Sequence, residues 1–556
     1  MVIINRRRVV NRNGLSTYIC VHGFYDFMKK FIALILFLFI LPSLSSQNLV
    51  LNWQQCLGGT GADCGLSYVP VLNGYVLLCG SGSQDGQVPP NHGNGDFWLV
   101  RTDTMAAIVW SRTYGGSDLE EAKKTINCAD GGFVLFGQTY SNDGDVLDNH
   151  GNADYWIIKV DSSGTLLWSK CFGGSYADWP NDMILATDSG FLLTGGSMSV
   201  DGNVSGNHGF FDCWMVKLDK DGNLQWEKSL GGSGADIGVN VKSTSDGGYI
   251  LGATAKIGDG DVQCNIHGFY DAWIIKIDPA GNIEWQQCFG GTNGDGPNEI
   301  LQTSDGGYIF VGTTDSNDGD VSGNHGMNDI WVVKLDSLGS LQWQRCYGGS
   351  RDDIARFIRH GANGSYIVGG YTNSHDGEVS GNHSYPTTND AWLLRISQTG
   401  DIIWKQCIGG DEDDTFFDMV EFPNGKITLL GGSNTWDHSG DVQCEMHHNL
   451  FGDVWLVGLT DSTVVGGEEI SEDPIRVSVY PNPAGDFINF HLSGLSDWSN
   501  SKITLNTMYG QVAHEFTLPA GQTEVSFSIA DIPVGIYFYM LTNQTFTETG
   551  KVIIVR

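Results

Sequence analysis

A block of about 58 residues occurs seven times along this chain, and nothing else in it restricts the possible folds as strongly. Tryptophans followed by a Gly-Gly pair stand at Trp53, Trp110, Trp168, Trp226, Trp285, Trp343 and Trp404, at spacings of 57, 58, 58, 59, 58 and 61 residues. A second series, each with Asp two residues earlier, stands at Trp98, Trp156, Trp214, Trp273, Trp331, Trp392 and Trp455. Within one copy the segments LQWEKSL, GVNVKST, GYILGAT and AWIIKID alternate in polarity and favour β-branched and aromatic residues. Gly, Asn and Asp punctuate them, so the period of two predicts four strands per copy rather than helices.

Seven units of four antiparallel strands predict a seven-bladed β-propeller, in which radial repetition limits exposed sheet edges. The array opens with an isolated Trp-Gly-Gly strand, LVLNWQQCL, and stops after the Trp455 strand without another of that type. The front strand is therefore expected to complete the last blade and close the ring. An open β-solenoid is the competing architecture, and it would not need complementary ends. The array spans 47–460, an acidic linker without periodicity spans 461–475, and a separate all-β module spans 476–556. At the front, MKKFIALILFLFILPSLSSQ has two lysines, a short apolar run and small residues, the pattern of a signal peptide over 28–46. Residues 1–27 are then read as a mis-called upstream extension. No later segment has the roughly 20 apolar residues of a membrane-spanning helix.

Charge excludes one class of partner. With 30 basic and 64 acidic residues the chain carries −34, and without residues 1–46, which hold six basic residues and Asp26, it carries −39. Binding a nucleic acid would begin with repulsion rather than counterion release. In a four-strand meander the first-to-second and third-to-fourth loops share a face, and acid gathers on both. Asp63, Glu120, Asp178, Asp236, Asp295, Asp353 and Asp414 each follow the Gly-Gly pair by four residues, and the other loop reads DGDVLDNHGNAD or DGDVSGNHGMND.

Two candidate sites emerge on that face. Asp143, Asp145, Asn149 and Asp154, repeated as Asp318, Asp320, Asn324 and Asp329, offer clustered oxygen ligands of the kind calcium takes. Calcium is the one cofactor the pattern suggests. His92, His150, His208, His267 and His325, four residues before each strand-opening Asp, do not suit that ion, and the alternative reading is that these side chains satisfy the backbone of a long glycine-rich turn. Exact repetition points to a role in the blade, whereas a unique site needs unlike groups converging. The departures from the repeat lie in copies six and seven: Tyr385 in the inserted SYPTTN, Asp411 and Asp413 in an acidic run, then Trp436, His438, His447 and His448. Aromatic walls with carboxylates there would suit a ligand. Glycines inside the third strand of a copy, such as Gly137, Gly252 and Gly312, are expected to admit a neighbouring indole.

Cys56, Cys171, Cys288, Cys346 and Cys407 share one repeat position and read as small buried side chains too far apart to bond one another. Cys264 and Cys444 share the context DVQC in separate blades, which argues against their pairing, and disulfides elsewhere stay open. Weak local similarities touch two enzyme groups. STSDGG is similar to the Asp-box hairpin of sialidases and IDPAGNIEW to the docking repeat of quinoprotein propellers. Neither brings the catalytic set or cofactor pocket of its group, and no nucleophile elbow, zinc-binding helix or phosphate loop is present.

The tail carries VYPNPAGDFINF, MYGQ, IPVGIYFYML and GKVIIVR in order. It resembles the C-terminal (type A) sorting domain of type IX secretion cargo in Bacteroidetes-type bacteria, and the repeats resemble those of secreted β-propeller proteins from such bacteria. The resemblance implies a small β-sandwich over 476–556, contact with the type IX machinery through it, and a place outside the cell or attached to the outer-membrane surface, reached through the periplasm. The expected function is binding or adhesion, with a glycan or protein ligand on the acidic long-loop face. An extracellular hydrolase or lyase with its site in the irregular loops of blades six and seven, and a purely structural surface protein, are the alternatives.

Overall fold

The computed structural model describes residues 49–464, except 386, 423, 436–437 and 448–451, and beyond them the strands and a few adjoining residues of the tail. The expected signal segment and upstream extension, most of the linker, Trp436 and His448 lie outside the described residues. The chain divides into two compact units between residues 465 and 466.

The first unit is an array of four-stranded antiparallel sheets in a propeller-like arrangement. Sheet I is built from Asp63–Val71, Gly74–Ser81, Asp96–Thr102 and Ile108–Tyr114, paired in sequence order. Sheets II to VI repeat this order, beginning with Glu120–Asn127, Asp178–Leu185, Ile237–Ser243, Asp295–Gln302 and Asp353–His360. Sheet VII begins with Asp414–Glu421, and its outer strand is Leu49–Leu57, antiparallel to Asp453–Asp461 with Cys56 opposite Trp455. The first strands of the sheets touch in cyclic order, that of sheet VII meeting that of sheet I.

The repeated residues hold each sheet to its neighbours. All seven Asp-x-Trp indoles are fully buried, in the apolar layers between sheets. The glycines of the third strand of each copy, which is the second strand of its sheet, do not admit them. A β-carbon at Gly137 would strike the Glu121 carbonyl, one at Gly312 would strike the Gly296 carbonyl, and Gly252 faces the Pro297 ring. The close approach there is made by the bulged strand alongside and by the next sheet, which corrects the indole reading. The tryptophans of the other series do meet glycines, at turns: a β-carbon at Gly281, whose φ is +79°, would stand 3.0 Å from the Trp226 ring.

Cys56 bonds Cys444 and Cys264 bonds Cys288, each with Cα atoms 5.5 Å apart. Two of the repeat-position cysteines are thus half of a disulfide rather than inert filling, and each DVQC cysteine finds its partner on the outer strand of its own sheet. The Cys56–Cys444 bond fastens the strand from the front of the array to the last sheet.

One irregularity recurs in every first strand. The register against the second strand skips one residue, a β-bulge, between Gly65 and Ser67, and likewise at the equivalent place in the six other sheets. The skipped residues are Leu66, Lys123, Asn181, Val239, Asn298, Arg356 and Phe417.

The second unit contains a sheet of Arg476–Tyr480, Phe487–Ser493 and Glu524–Ser528 and a sheet of Val512–Thr517, Lys502–Thr507, Gly535–Thr542 and Thr547–Ile554. Ile488, Phe490 and Val525 of the first share an apolar core with Ile503, Leu541 and Val552 of the second. No described helix is long and apolar enough to cross a membrane.

Candidate functional site in the central cavity

The two loops expected on one face do meet there, but much of their acid is internal. Asp63, Glu120, Asp178, Asp236, Asp295, Asp353 and Asp414 are buried. Each receives the amide of the second glycine of its Gly-Gly pair, as Asp178 Oδ2 does from Gly174 at 2.8 Å, and most bind two hydroxyls, those of Ser197 and Ser199 in the case of Asp178. Burial pushes all seven above the usual carboxylate range, with these donors pulling back only part of the way: Asp178 and Asp353 rise to about 6 and Asp414 to about 7. The Asp before each buried Trp is also fully enclosed and holds a histidine. His150 gives Asp154 Oδ2 its backbone amide at 2.9 Å and sets Nδ1 2.7 Å away, and His325 does the same to Asp329 at 3.1 and 2.6 Å.

The proposed calcium donors are engaged in the same way. Asp143 Oδ1 accepts the Ser117 amide at 2.7 Å, Asp145 Oδ2 the Gly115 amide at 3.3 Å, and Asn149 donates to the Ser141 carbonyl at 2.9 Å. In the second set Asp318 accepts from Thr292 at 2.8 Å, Asp320 from Gly290 at 3.4 Å, and Asn324 donates to the Thr314 carbonyl at 3.2 Å. These are the bonds of turns whose backbone needs partners. Among the described residues no three His, Cys, Asp or Glu side chains are grouped as a metal site.

The irregular loops of copies six and seven are joined mainly through backbone. Thr388 Oγ1 donates to the Asp411 carbonyl at 3.1 Å, the Asp411 amide to Ser439 Oγ at 3.0 Å, and Asn389 Nδ2 to Asp413 Oδ1 at 2.7 Å. Tyr385 stands exposed, and His438 holds a left-handed turn with φ 56°. His447 sits 3.0 Å from Asp453 Oδ2, so it is the seventh member of the His–Asp series and not a departure from it.

Unlike groups do converge elsewhere, in a cavity of about 780 Å³ framed by the first strands of all seven sheets. Every bulge residue lines it. A bulge re-aims the extra side chain away from the ladder, and here seven of them turn to one place. Going round from sheet I they are Leu66, Lys123, Asn181, Val239, Asn298, Arg356 and Phe417. The repeat keeps Asp, His, Trp and Gly-Gly constant in nearly every copy, yet at this position it supplies two cations, two amides and three apolar groups.

The residues one step on form the floor of the ring. Ser67 Oγ accepts the Thr125 amide at 3.3 Å, Asp182 Oδ2 the Val241 amide at 3.1 Å, and Asn240 Oδ1 the Ile300 amide at 3.1 Å. Glu299 Oε2 accepts the Ile358 amide at 3.1 Å, and Asp418 Oδ2 accepts the Tyr68 amide of sheet I at 3.3 Å. Each of these five side chains thus caps an amide of the following sheet. The charges among them pair. Arg359 bonds Glu299 and reaches Asp418 Oδ1 at 2.5 Å, while Lys242 Nζ lies 2.7 Å from Glu299 Oε1. Burial raises the Glu299 carboxyl, but Arg359, Lys242 and Lys124 more than offset this and hold it at about 2; Lys124 and Arg359 likewise hold Asp418 low against its burial. Arg356 has a different setting: its guanidinium lies 5.2 Å from the Tyr371 ring and 5.2 Å from the Phe417 ring. Cys64, also in the wall, has its thiol pushed up to about 12 by burial and is no thiolate at neutral pH.

None of the ring was singled out from the sequence. The available signal was weak, because beyond the opening acid these strands vary at nearly every position, the bulge column included.

Comparison with known proteins adds the export route. The secretion system C-terminal sorting domain matches residues 478–555. The regulatory protein FlaEY of Caulobacter vibrioides is 26% identical over 226 residues, covering 38% of this chain and 23% of that protein. The chain therefore spans under a quarter of that relative's length. Among solved structures, the extracellular domain of a hybrid two component system from B. thetaiotaomicron aligns over 91% of this chain and 60% of its own, with 12% identity and a TM-score of 0.40. The Neurospora crassa Pan2 WD40 domain aligns over 74% and 95%, with 10% identity and a TM-score of 0.40.

Proposed function

Residues 478–555 make this chain cargo of the type IX secretion system, delivered to the cell surface or extracellular space, and from that premise we propose that its repeat array is a seven-bladed propeller that binds a ligand in the central cavity. The single observation that carries the reading is the bulge ring, where the repeat places seven side chains of mixed chemistry around one opening. A cavity of 780 Å³ lies within the roughly 300–1,000 Å³ of small-molecule sites. Of the residues read from the irregular loops, Asp413 lines this cavity, while Tyr385 and Asp411 are not among its lining residues and make the competing surface. Glycan and peptide arrays probed with the mature chain separate the two: Phe417→Ala should abolish the captured signal and Tyr385→Ala should leave it. The reverse pattern would move the site to the loops.

Calcium in the third-to-fourth loops is a separate proposal, supported by the oxygen-rich donor set that includes Asp143, Asp145, Asp318 and Asp320. Thermal melting with and without a chelator tests it, and an unchanged melting temperature would remove it.

A further inference from the structure

The bulge ring is asymmetric, and its asymmetry describes a ligand. Arg356, Phe417, Leu66 and Lys123 come from sheets VI, VII, I and II, which are consecutive, so an apolar arc is flanked by two cations. Asn181 and Asn298 lie on the opposite side.

The cations beneath are already committed. Arg359 and Lys242 serve Glu299 and Asp418, and the latter also has Lys124 4.0 Å away. Arg356 makes no ion pair among the described residues. Its guanidinium lies 5.2 Å from each of two aromatic rings, a contact that leaves its edge donors able to meet a planar acceptor. Among the described residues Lys123 pairs with Glu121 alone, at 3.7 Å. The cavity wall also carries Glu121, Asp182 and Asp413, so an anion entering it is steered to Arg356 and Lys123 and away from these carboxylates.

We propose, resting on the reading of the cavity as the ligand site, that the ligand is an acidic saccharide. Its carboxylate meets the guanidinium of Arg356, with Lys123 as the second cation. The apolar face of a sugar ring lies against Phe417 and Leu66, and hydroxyls meet the amide of Asn298 and Oδ1 of Asn181, whose Nδ2 already donates to the Gly238 carbonyl at 2.8 Å. Carboxylate, apolar face and hydroxyls together are what this set of side chains complements. A simple inorganic anion would leave the Phe417 and Leu66 arc unused, and a neutral sugar would leave Arg356 unpaired.

Calorimetric titration of the full mature chain with a trisaccharide of galacturonic acid, beside the neutral trisaccharide of galactose, tests this. The acidic probe is expected to bind at least about tenfold more tightly, and Arg356→Gln to remove about that factor, since charge-assisted bidentate bonds are the strong ones. Arg356→Gln should leave the melting temperature unchanged, because the side chain is exposed and supports no buried carboxylate. Equal binding of the two probes, no binding of the acidic one, or no effect of Arg356→Gln overturns the proposal. If the neutral probe binds equally well and Phe417→Ala abolishes it, the acidic class is wrong while the cavity remains the site. If Phe417→Ala also changes nothing for any bound probe, the cavity reading falls with it.

Discussion

The long-loop face and the central cavity are both rich in carboxylates, and the two sets are treated in opposite ways. On the face the acid after each Gly-Gly pair and the Asp before each buried Trp recur sheet after sheet, enclosed and bonded to amides, hydroxyls and histidines of the same or the adjoining sheet. Their neighbours are dipoles and like charges, so burial dominates and the first set titrates high. At the cavity, Glu299 in its wall and the buried Asp418 both meet Arg359, and both titrate low. Repetition marks what assembles the array. Difference marks where a ligand has something to choose between.

The largest effect should come from breaking the cavity's charge network. Arg359→Ala leaves Glu299 and Asp418 facing each other with too little compensation, and a loss of about 4 kcal/mol in denaturant unfolding is expected. A loss below about 1 kcal/mol would show that water already screens the pair. The two disulfides come next. Cys444→Ser opens a link across 388 residues and Cys264→Ser one across 24. Chain entropy then makes the first variant less stable than the second by about 2 kcal/mol, and equal midpoints would mean that strand pairing alone holds the ring. On the repeated side, Gly173→Ala would set a β-carbon 2.5 Å from both Asp154 Oδ1 and Asp178 Oδ2. A loss of about 2 kcal/mol is expected, the usual cost of overpacking.

Acidity separates the two sets by sign. Asp178, Asp353 and Asp414 bind a proton more tightly folded, at about 6, about 6 and about 7, than in the unfolded chain. Their contribution is fully present below the unfolded value of 3.8 and is lost as pH rises through 6 to 7. Glu299 behaves in reverse: its contribution is present above 4.5 and lost as pH falls toward 2. The melting temperature should therefore rise from pH 8 to about pH 5 and fall below about pH 4. A steady decline from pH 8 downward would mean that the repeated acids are not buried as described. The smallest effect is expected at Tyr385→Ala, within about 0.5 kcal/mol, since the side chain is exposed.

The strand pattern and the turn chemistry were legible in the sequence because each is local and occurs seven times. The strand at Leu49–Leu57 was legible too, as an unmatched piece whose complement stood at the other end, and it is found paired with Asp453–Asp461. The candidate site was not, for a physical reason. In the sequence, irregularity stands out where loops change length or composition, at Tyr385 and the acidic run near Asp411. The bulge instead changes the register inside a strand, so Lys123, Arg356 and Phe417 read as ordinary alternation until the pairing shows which residue has no partner. His447 failed in the other direction: its spacing to Asp453 differs from the other copies, yet it performs the same bond. Both disulfides were hidden because each joins a loop cysteine to an outer-strand position where Cys171, Cys346 and Cys407 stay unbonded, so that position reads as packing.

The central claim is that side chains of the bulge ring, and not the loops above sheets VI and VII, hold the ligand. The most direct measurement is binding of the mature chain to its array-captured ligand in two double variants of equal thermal stability, Arg356→Gln with Phe417→Ala against Tyr385→Ala with Asp411→Ala. Loss of binding in the first pair with retention in the second is the expected result. Retention in the first with loss in the second would contradict the account.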